Sequence, residues 1–139
     1  MKRATLMFTV FLVFFFGFSL FHLAFGESYL PIEIKNYQGI SYISGGIGFD
    51  ERKALNEIGK NYGLKLVLAA SGGAYLADVN VQIKNAPGEK IFEAVSEGPW
   101  FYVNLRHGEY TVYVTSTGRT LDKAAHIKAG SQAELRFYW

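Results

Sequence analysis

Short apolar runs separated by turn residues most constrain what this chain can fold into. In several runs apolar and polar side chains alternate, as in Val79, Val81 and Ile83, whose neighbours are polar. A period of two with one apolar face indicates strands that lie half in a core and half in water. The runs extend over residues 64–70, 77–84, 91–96, 100–105, 110–117, 121–128 and 132–139. Such closely spaced strands predict an antiparallel sandwich or barrel.

The segments between these runs contain the residues that chain reversals require. Glycine or proline occurs in every one of them, and these residues supply the positive or restricted φ of tight turns. The run from Trp100 to Leu105 is apolar on both faces. We therefore expect it to lie in the centre of a sheet or beneath another element. The upstream segments 30–35 and 39–43 are predicted to be extended.

One segment has helical rather than strand periodicity. Ala54, Leu55 and Ile58 recur at the spacing of one helix face, within residues 50–62. This pattern predicts a single amphipathic helix. We expect Asp50 to cap its start through a side-chain oxygen and Gly63 to end it in the left-handed conformation.

The N-terminus has the three parts of an export signal. Lys2 and Arg3 precede an apolar stretch from Leu6 to Leu20, and the segment closes on Ala24-Phe25-Gly26. The pattern predicts a cleaved signal peptide at residues 1–26. The alternative is an uncleaved membrane anchor, because an apolar stretch counted out to Phe25 reaches about the 20 residues that cross a bilayer.

Charge and cysteine content bound the exported part. Removing residues 1–26 would leave 12 basic and 12 acidic residues, because Lys2 and Arg3 carry the whole formal charge of +2. A neutral domain argues against nucleic-acid or anionic-membrane binding. The chain contains no cysteine, so the fold must form without disulfides. We expect N-terminal extended segments and a helix at 27–63, followed by a β-sandwich at 64–139.

A longer pattern resembles a known family. The stretch GPWFYVNLRHGEYTV, residues 98–112, is similar to the glycine, aromatic, leucine and tyrosine pattern of carboxypeptidase regulatory-like domains. The resemblance covers residues 75–139 and implies a seven-stranded, transthyretin-like Greek-key β-sandwich. It also implies an accessory or adhesive module of unassigned activity rather than an enzyme. The match places Trp100 and Tyr110 on inward-facing strands, with the Tyr110 hydroxyl holding one turn.

The glycine-rich segment before the helix is one candidate interaction site. Gly45, Gly46 and Gly48 allow a close passage of the backbone, and Arg52 and Lys60 lie on the polar helix face. A phosphate-loop interpretation is disfavoured because acidic residues follow the glycines. The glycines could instead only carry the chain over a sheet edge. Both the structural and the interaction interpretation stay open for this segment.

Tyr113 is a second candidate, because it is out of phase with the apolar residues of its strand and is predicted to face outward. The two histidines of the exported part, His107 and His126, lack the spacing of a metal site. No serine lies in a nucleophile elbow. No catalytic residue, metal or cofactor is expected. The sequence predicts a periplasmic binding or envelope-structural module with an envelope protein or glycan as partner; a hydrolase is the weakest alternative.

Overall fold

A computed structural model describes residues 31–139, and the predicted leader at 1–26 lies outside them. This part of the chain is mainly β, with two sheets and one short helix. The predicted mainly-β sandwich with one N-terminal helix is confirmed. In chain order the elements are β1 Lys35–Tyr37, β2 Ile40–Gly45, α1 Phe49–Gly59, β3 Leu64–Ala69, β4 Asn80–Asn85, β5 Lys90–Val95, β6 Trp100–Val103, β7 Gly108–Ser116, β8 Arg119–Ile127 and β9 Ala133–Tyr138.

The strands divide into a five-stranded sheet A, in the order β1-β2-β6-β3-β9, and a four-stranded sheet B, in the order β5-β4-β7-β8. All seven predicted strands form, in runs 64–69, 80–85, 90–95, 100–103, 108–116, 119–127 and 133–138. The pairing of β3 with β9 is parallel, so the expectation of antiparallel strands throughout is wrong at this pair. These two strands are the first and last of the predicted sandwich, so a long connection separates them, as parallel pairing requires.

Two strands that precede the predicted sandwich raise the strand count from seven to nine. Gln38 and Gly39 have φ of 47° and 88°, which suits the tight turn of a two-stranded hairpin between β1 and β2. Strand β2 then pairs with β6, from Tyr42 opposite Val103 to Gly45 opposite Trp100. The segment before Leu64 is therefore an integral part of sheet A.

The main core lies between the two sheets. Phe92 and Phe101 are fully buried there, with ring centroids 5.9 Å apart in an edge-to-face arrangement. Tyr42 stacks on Phe101 at 5.5 Å. Aromatic pairs in this geometry stabilise a core beyond the area that they bury. This cluster includes inward residues of β3, β4, β6, β7, β8 and β9 and joins the sheets into one sandwich.

A second, smaller core lies on the other face of sheet A, beneath α1. Its centre is formed by Ile43, Leu55 and Tyr102, which are fully buried. Strand β6 is therefore central in its sheet and apolar on both faces, as predicted. The prediction that Trp100 is buried in the sandwich is wrong. Trp100 is half-buried on the helix side, because Phe101 takes the inward position, and the Lys65 Nζ lies 4.0 Å from the centre of its indole ring.

Both predicted helix ends need correction. Gly48 is the N-cap and no side chain caps it, so Asp50 lies inside the first turn instead. The helix ends at Gly59, and Gly63 does not adopt the left-handed conformation. Gly63 instead allows a close approach, because a Cβ there would lie 2.8 Å from the carbonyl oxygen of Leu105. No helix among the described residues has the length and apolar character that crossing a bilayer requires.

Candidate binding site

A polar pocket lies at one end of the sandwich. Pairings at that end include Leu64 with Val103, Leu64 with Ala133, and Gly108 with Ile127, so several strands begin or end there. The connections at these strand ends converge on a pocket of about 310 Å³. It is lined by residues 60–63 after the helix, by residues 104, 105 and 107 of the β6–β7 loop, and by residues 127–132 of the β8–β9 turn.

The charged side chains of the lining are basic, and its other polar side chains are neutral. Lys60, Lys128 and His107 line the pocket together with amide and hydroxyl side chains, and none of the lining residues is acidic. Lys128 has no ion-pair partner among residues 31–139. Leu105 and Ile127, which are 7% and 5% exposed, form the apolar part of the wall. The pocket can therefore supply several donors and a positive field to a small polar ligand.

Gln132 joins the helix to the pocket. Its Nε2 donates to the carbonyl oxygens of Gly59 at 2.7 Å and Tyr62 at 2.8 Å. The last carbonyls of a helix have no partner within the helix, so a side-chain donor at this point stabilises its end. The same contact holds the chain after α1 against the start of β9.

Tyr110 holds the β6–β7 loop, which is the second of the three pocket segments. Its hydroxyl donates to the carbonyl oxygen of Arg106 at 3.0 Å, which confirms the predicted role of this tyrosine in holding a turn. The bond fixes the β6–β7 loop that carries Asn104 and His107 into the pocket. Two side-chain contacts therefore position two of the three pocket segments before any ligand binds.

The candidate residues Gly45 and Gly46 lie elsewhere, in the passage from β2 to α1. Both are buried, and a Cβ on Gly45 would lie 2.1 Å from a carboxylate oxygen of Glu51. A Cβ on Gly46, whose φ is +96°, would lie 3.3 Å from Trp100. These contacts agree with the structural interpretation, in which the glycines let the chain pass closely over the sheet.

Arg52 and Glu51 hold this passage in place. The Arg52 Nη1 donates to the carbonyl oxygens of Gly46 at 2.9 Å and Ile47 at 3.0 Å. The Glu51 Oε2 accepts the backbone N–H of Ile47 at 3.1 Å. Both side chains therefore bind the backbone of the glycine segment, and the Arg52 guanidinium carbon also lies 5.6 Å from the centre of the Tyr75 ring.

The remaining candidates are on the surface. Gly48 is exposed and open around its Cα, where it serves as the helix N-cap. Lys60 is exposed and donates to Glu57 at 2.6 Å, and this bond keeps the pKa of the Glu57 carboxyl below its ordinary value. Tyr113 is half-buried on the outer face of sheet B, as its phase predicts, with the Lys84 Nζ 4.9 Å from its ring centre.

Of the predicted interaction residues, only Lys60 lines the pocket. The structure adds His107, for which the sequence indicated no site, whereas the Nδ1 of the exposed His126 lies 3.4 Å from a carboxylate oxygen of Glu109. Within residues 31–139 no group of three His, Cys, Asp or Glu side chains is arranged to hold a metal ion. The excess of Lys, His and amide side chains in the loops at one sandwich end was the available signal for the pocket.

A second surface feature lies at the start of α1. Ile47 and Phe49 are 69% and 75% exposed. Large apolar side chains with this exposure are uncommon when they are grouped on a soluble domain. The sequence pattern of the helix did not reveal them, because Phe49 lies at its first position, outside the periodic apolar face.

The fold and the pocket define the class as a small two-sheet sandwich with a ligand-sized depression at one end. A comparison with protein-family profiles matches residues 61–138 to the Rhizobiales growth-associated tandem repeat domain. The chain belongs to this family. No curated protein matches the chain. The matched segment includes all of the pocket lining except Lys60.

Proposed function

We propose that this protein is a non-catalytic, exported binding module of the bacterial envelope whose ligand site is the pocket at the end of the sandwich. The observation that carries the proposal is the lining itself: three separate segments bring amide, hydroxyl, imidazole and ammonium groups around about 310 Å³. A few convergent polar groups in a concave site are typical of small-ligand binding, and this volume is at the lower end of the usual range.

A binding role is favoured over catalysis by the composition of this lining. Ser131 and His107 both line the pocket, so a hydrolase could in principle use them as nucleophile and base. A catalytic histidine is normally oriented by a third group, most often a carboxylate. No lining residue carries one. The hydrolase alternative is therefore the weaker one, because His107 and Ser131 would have to act without the carboxylate that usually orients the histidine.

The proposal includes export to the periplasm and a relationship to carboxypeptidase regulatory-like domains. The basic start, apolar centre and Ala24-Phe25-Gly26 end support a periplasmic location after cleavage, with an anchored form as the alternative. The two-sheet sandwich and the Tyr110 bond to Arg106 support a relationship to carboxypeptidase regulatory-like domains. The balanced charge of the exported part supports a partner other than nucleic acid.

A second candidate function is contact with an envelope protein through the start of α1. The exposure of Ile47 and Phe49 favours it, since both side chains would gain from losing contact with water. A glycan or peptide contact through Tyr113, on the outer face of sheet B, has less support than the contact through the start of α1. Its ring already lies beside Lys84 and is half-covered.

The test blocks the pocket without touching the core. Ala129 is exposed and lines the pocket, so Ala129→Trp should fill the opening, whereas Ala86→Trp places the same ring on the exposed β4–β5 turn. The protein, produced from its full coding sequence, is incubated with the low-molecular-mass fraction of an envelope extract and examined by native mass spectrometry. We expect a bound species with the unmodified protein and with Ala86→Trp, and none with Ala129→Trp. Equal binding by both variants would refute the pocket as the site.

A further inference from the structure

The charge around the pocket is one-sided in a way that selects its ligand. The Lys60 ammonium donates a hydrogen bond to the Glu57 carboxylate at 2.6 Å, so the positive charge of Lys60 is partly compensated. Lys128 lines the pocket without such a partner in the described part of the chain, and His107 offers an N–H donor in either protonation state. A ligand with negative charge would meet favourable partners here, while a cation would meet no carboxylate among the lining residues.

The end of α1 could have opposed an anion, because the C-terminal end of a helix carries a partial negative charge. Gln132 reduces this effect. Its Nε2 donates to the carbonyl oxygens of Gly59 and Tyr62, so both acceptors already have a hydrogen-bond donor when a ligand binds. The remaining polar groups of the wall, on Asn61, Asn104 and Ser131, are neutral and can both donate and accept.

The neutral part of the lining suits hydroxyl groups. Amide and serine side chains pair with hydroxyls in either direction, and Tyr62, Leu105 and Ile127 provide an apolar surface beside them. A sugar ring has this combination of polar edges and a less polar face. The volume of about 310 Å³ suits a small ligand of this kind rather than a long chain.

We propose that the pocket binds an anionic sugar, with the carboxylate or phosphate group toward Lys128 and His107 and the hydroxyl groups toward Asn61, Asn104 and Ser131. This proposal rests on the proposed binding function and names the ligand class of the same site. Carboxylated and phosphorylated sugars share the required chemistry, and the probes below separate them.

Binding is measured by titration calorimetry with four probes: glucuronate, glucose 6-phosphate, glucose and inorganic phosphate. At least one anionic sugar should bind at least about tenfold more tightly than both glucose and inorganic phosphate, since each of these lacks half of the contacts. The tighter of the two anionic sugars identifies the source of the charge. Glucose binding as tightly as both anionic sugars would overturn the charge argument. Inorganic phosphate binding as tightly as glucose 6-phosphate, with no preference for glucuronate, would overturn the sugar argument.

Variants of the two side chains placed beside the anionic group then locate the site. Lys128→Gln and His107→Gln should each weaken the anionic sugar by about fivefold and leave any glucose binding unchanged. Lys53→Gln, on the exposed face of α1, is the matched control and should change nothing. Equal effects of Lys53→Gln and Lys128→Gln would show that the probe responds only to net charge.

The proposed function and the ligand class fail in different ways. If no probe binds but the envelope extract still yields a species that Ala129→Trp abolishes, the anionic-sugar proposal is wrong and the pocket remains a binding site. If the extract yields no species that depends on the pocket, the proposed function itself is wrong.

Discussion

The fully buried hydroxyl of Tyr102 supports the most direct test of the packing beneath α1. Its oxygen has no hydrogen-bond partner among the described residues, and the ring is enclosed by Gly59 and by Tyr62, whose ring centre is 6.4 Å away. A buried polar group without a partner costs about 1–3 kcal/mol. Tyr102→Phe keeps the ring and removes that cost. We therefore expect the variant to be more stable than the unmodified protein by about 1 kcal/mol at pH 7.

The same residue predicts a pH dependence with a defined sign. Burial, and to a smaller extent the charge of Glu134, raises the pKa of Tyr102 from 10.0 to about 12. Below pH 10 the neutral phenol is present in both the folded and the unfolded chain, so no stability is lost there. Above it the unfolded chain ionises first, and stability falls until the folded pKa is reached. With one pKa unit worth about 1.36 kcal/mol, the advantage of Tyr102→Phe should grow by about 1 kcal/mol between pH 9 and pH 11.

The measurement is urea unfolding of both proteins at pH 7, 9 and 11, followed by circular dichroism. Tyr113→Phe removes a phenol from the outer face of sheet B and serves as the control, with an expected change of about 0.5 kcal/mol or less. A loss of more than about 1 kcal/mol in Tyr102→Phe at pH 7 would show that the hydroxyl has a partner in solution and would refute the reasoning. A difference that stays constant from pH 9 to pH 11 would refute the pKa argument alone.

The remaining predictions concern single contacts and the leader. Trp100→Ala should cost about 2 kcal/mol in urea unfolding, less than the about 3–5 kcal/mol of Phe101→Ala, because only Phe101 is fully buried; equal losses would contradict the assigned faces. Gln132→Ala should lower the unfolding free energy by about 1 kcal/mol, because the Tyr62 carbonyl oxygen loses its side-chain donor while the Gly59 carbonyl oxygen keeps the backbone N–H of Tyr62; an unchanged value would exclude a stabilising role for Gln132. Gly59→Ala should destabilise by about 2 kcal/mol or more, since its Cβ would lie 2.4 Å from a ring carbon below the helix; a neutral result would mean that the helix can lift. Sequencing of the exported protein should begin at or near Glu27, whereas an intact N-terminus in the membrane fraction would favour the anchor.

Local sequence features predicted the elements well. The alternation in Val79, Val81 and Ile83 identified an inward face that is fully buried in the structure. The glycine at position 118 has φ of +79°, in the turn between β7 and β8, where a reversal was expected. Alternation and turn chemistry depend on residues close together in the chain, so one sequence is enough to recognise them.

Local features did not decide which face of β6 is inward. Trp100, Phe101 and Tyr102 are all apolar or aromatic, so the alternation has no polar phase to orient the strand. The helix resolves this choice, because it covers one face of sheet A and makes a second core around Tyr102. In the same way, Arg52 was predicted from the helix face to be available to a partner, and the folded chain directs it to two backbone carbonyls.

The sequence by itself determined the seven strands, the turns and the presence of the helix, because each follows from neighbouring residues or a short spacing, and the family resemblance supplied the expectation of the Tyr110 bond. Only the tertiary structure decided that β1 and β2 extend sheet A, that β3 and β9 are parallel, and that the chain after the helix, the β6–β7 loop and the β8–β9 turn form one pocket. These segments are far apart in the chain. They meet because the pairing of Leu64 with Ala133, and of Gly108 with Ile127, places their strand ends at the same end of the sandwich.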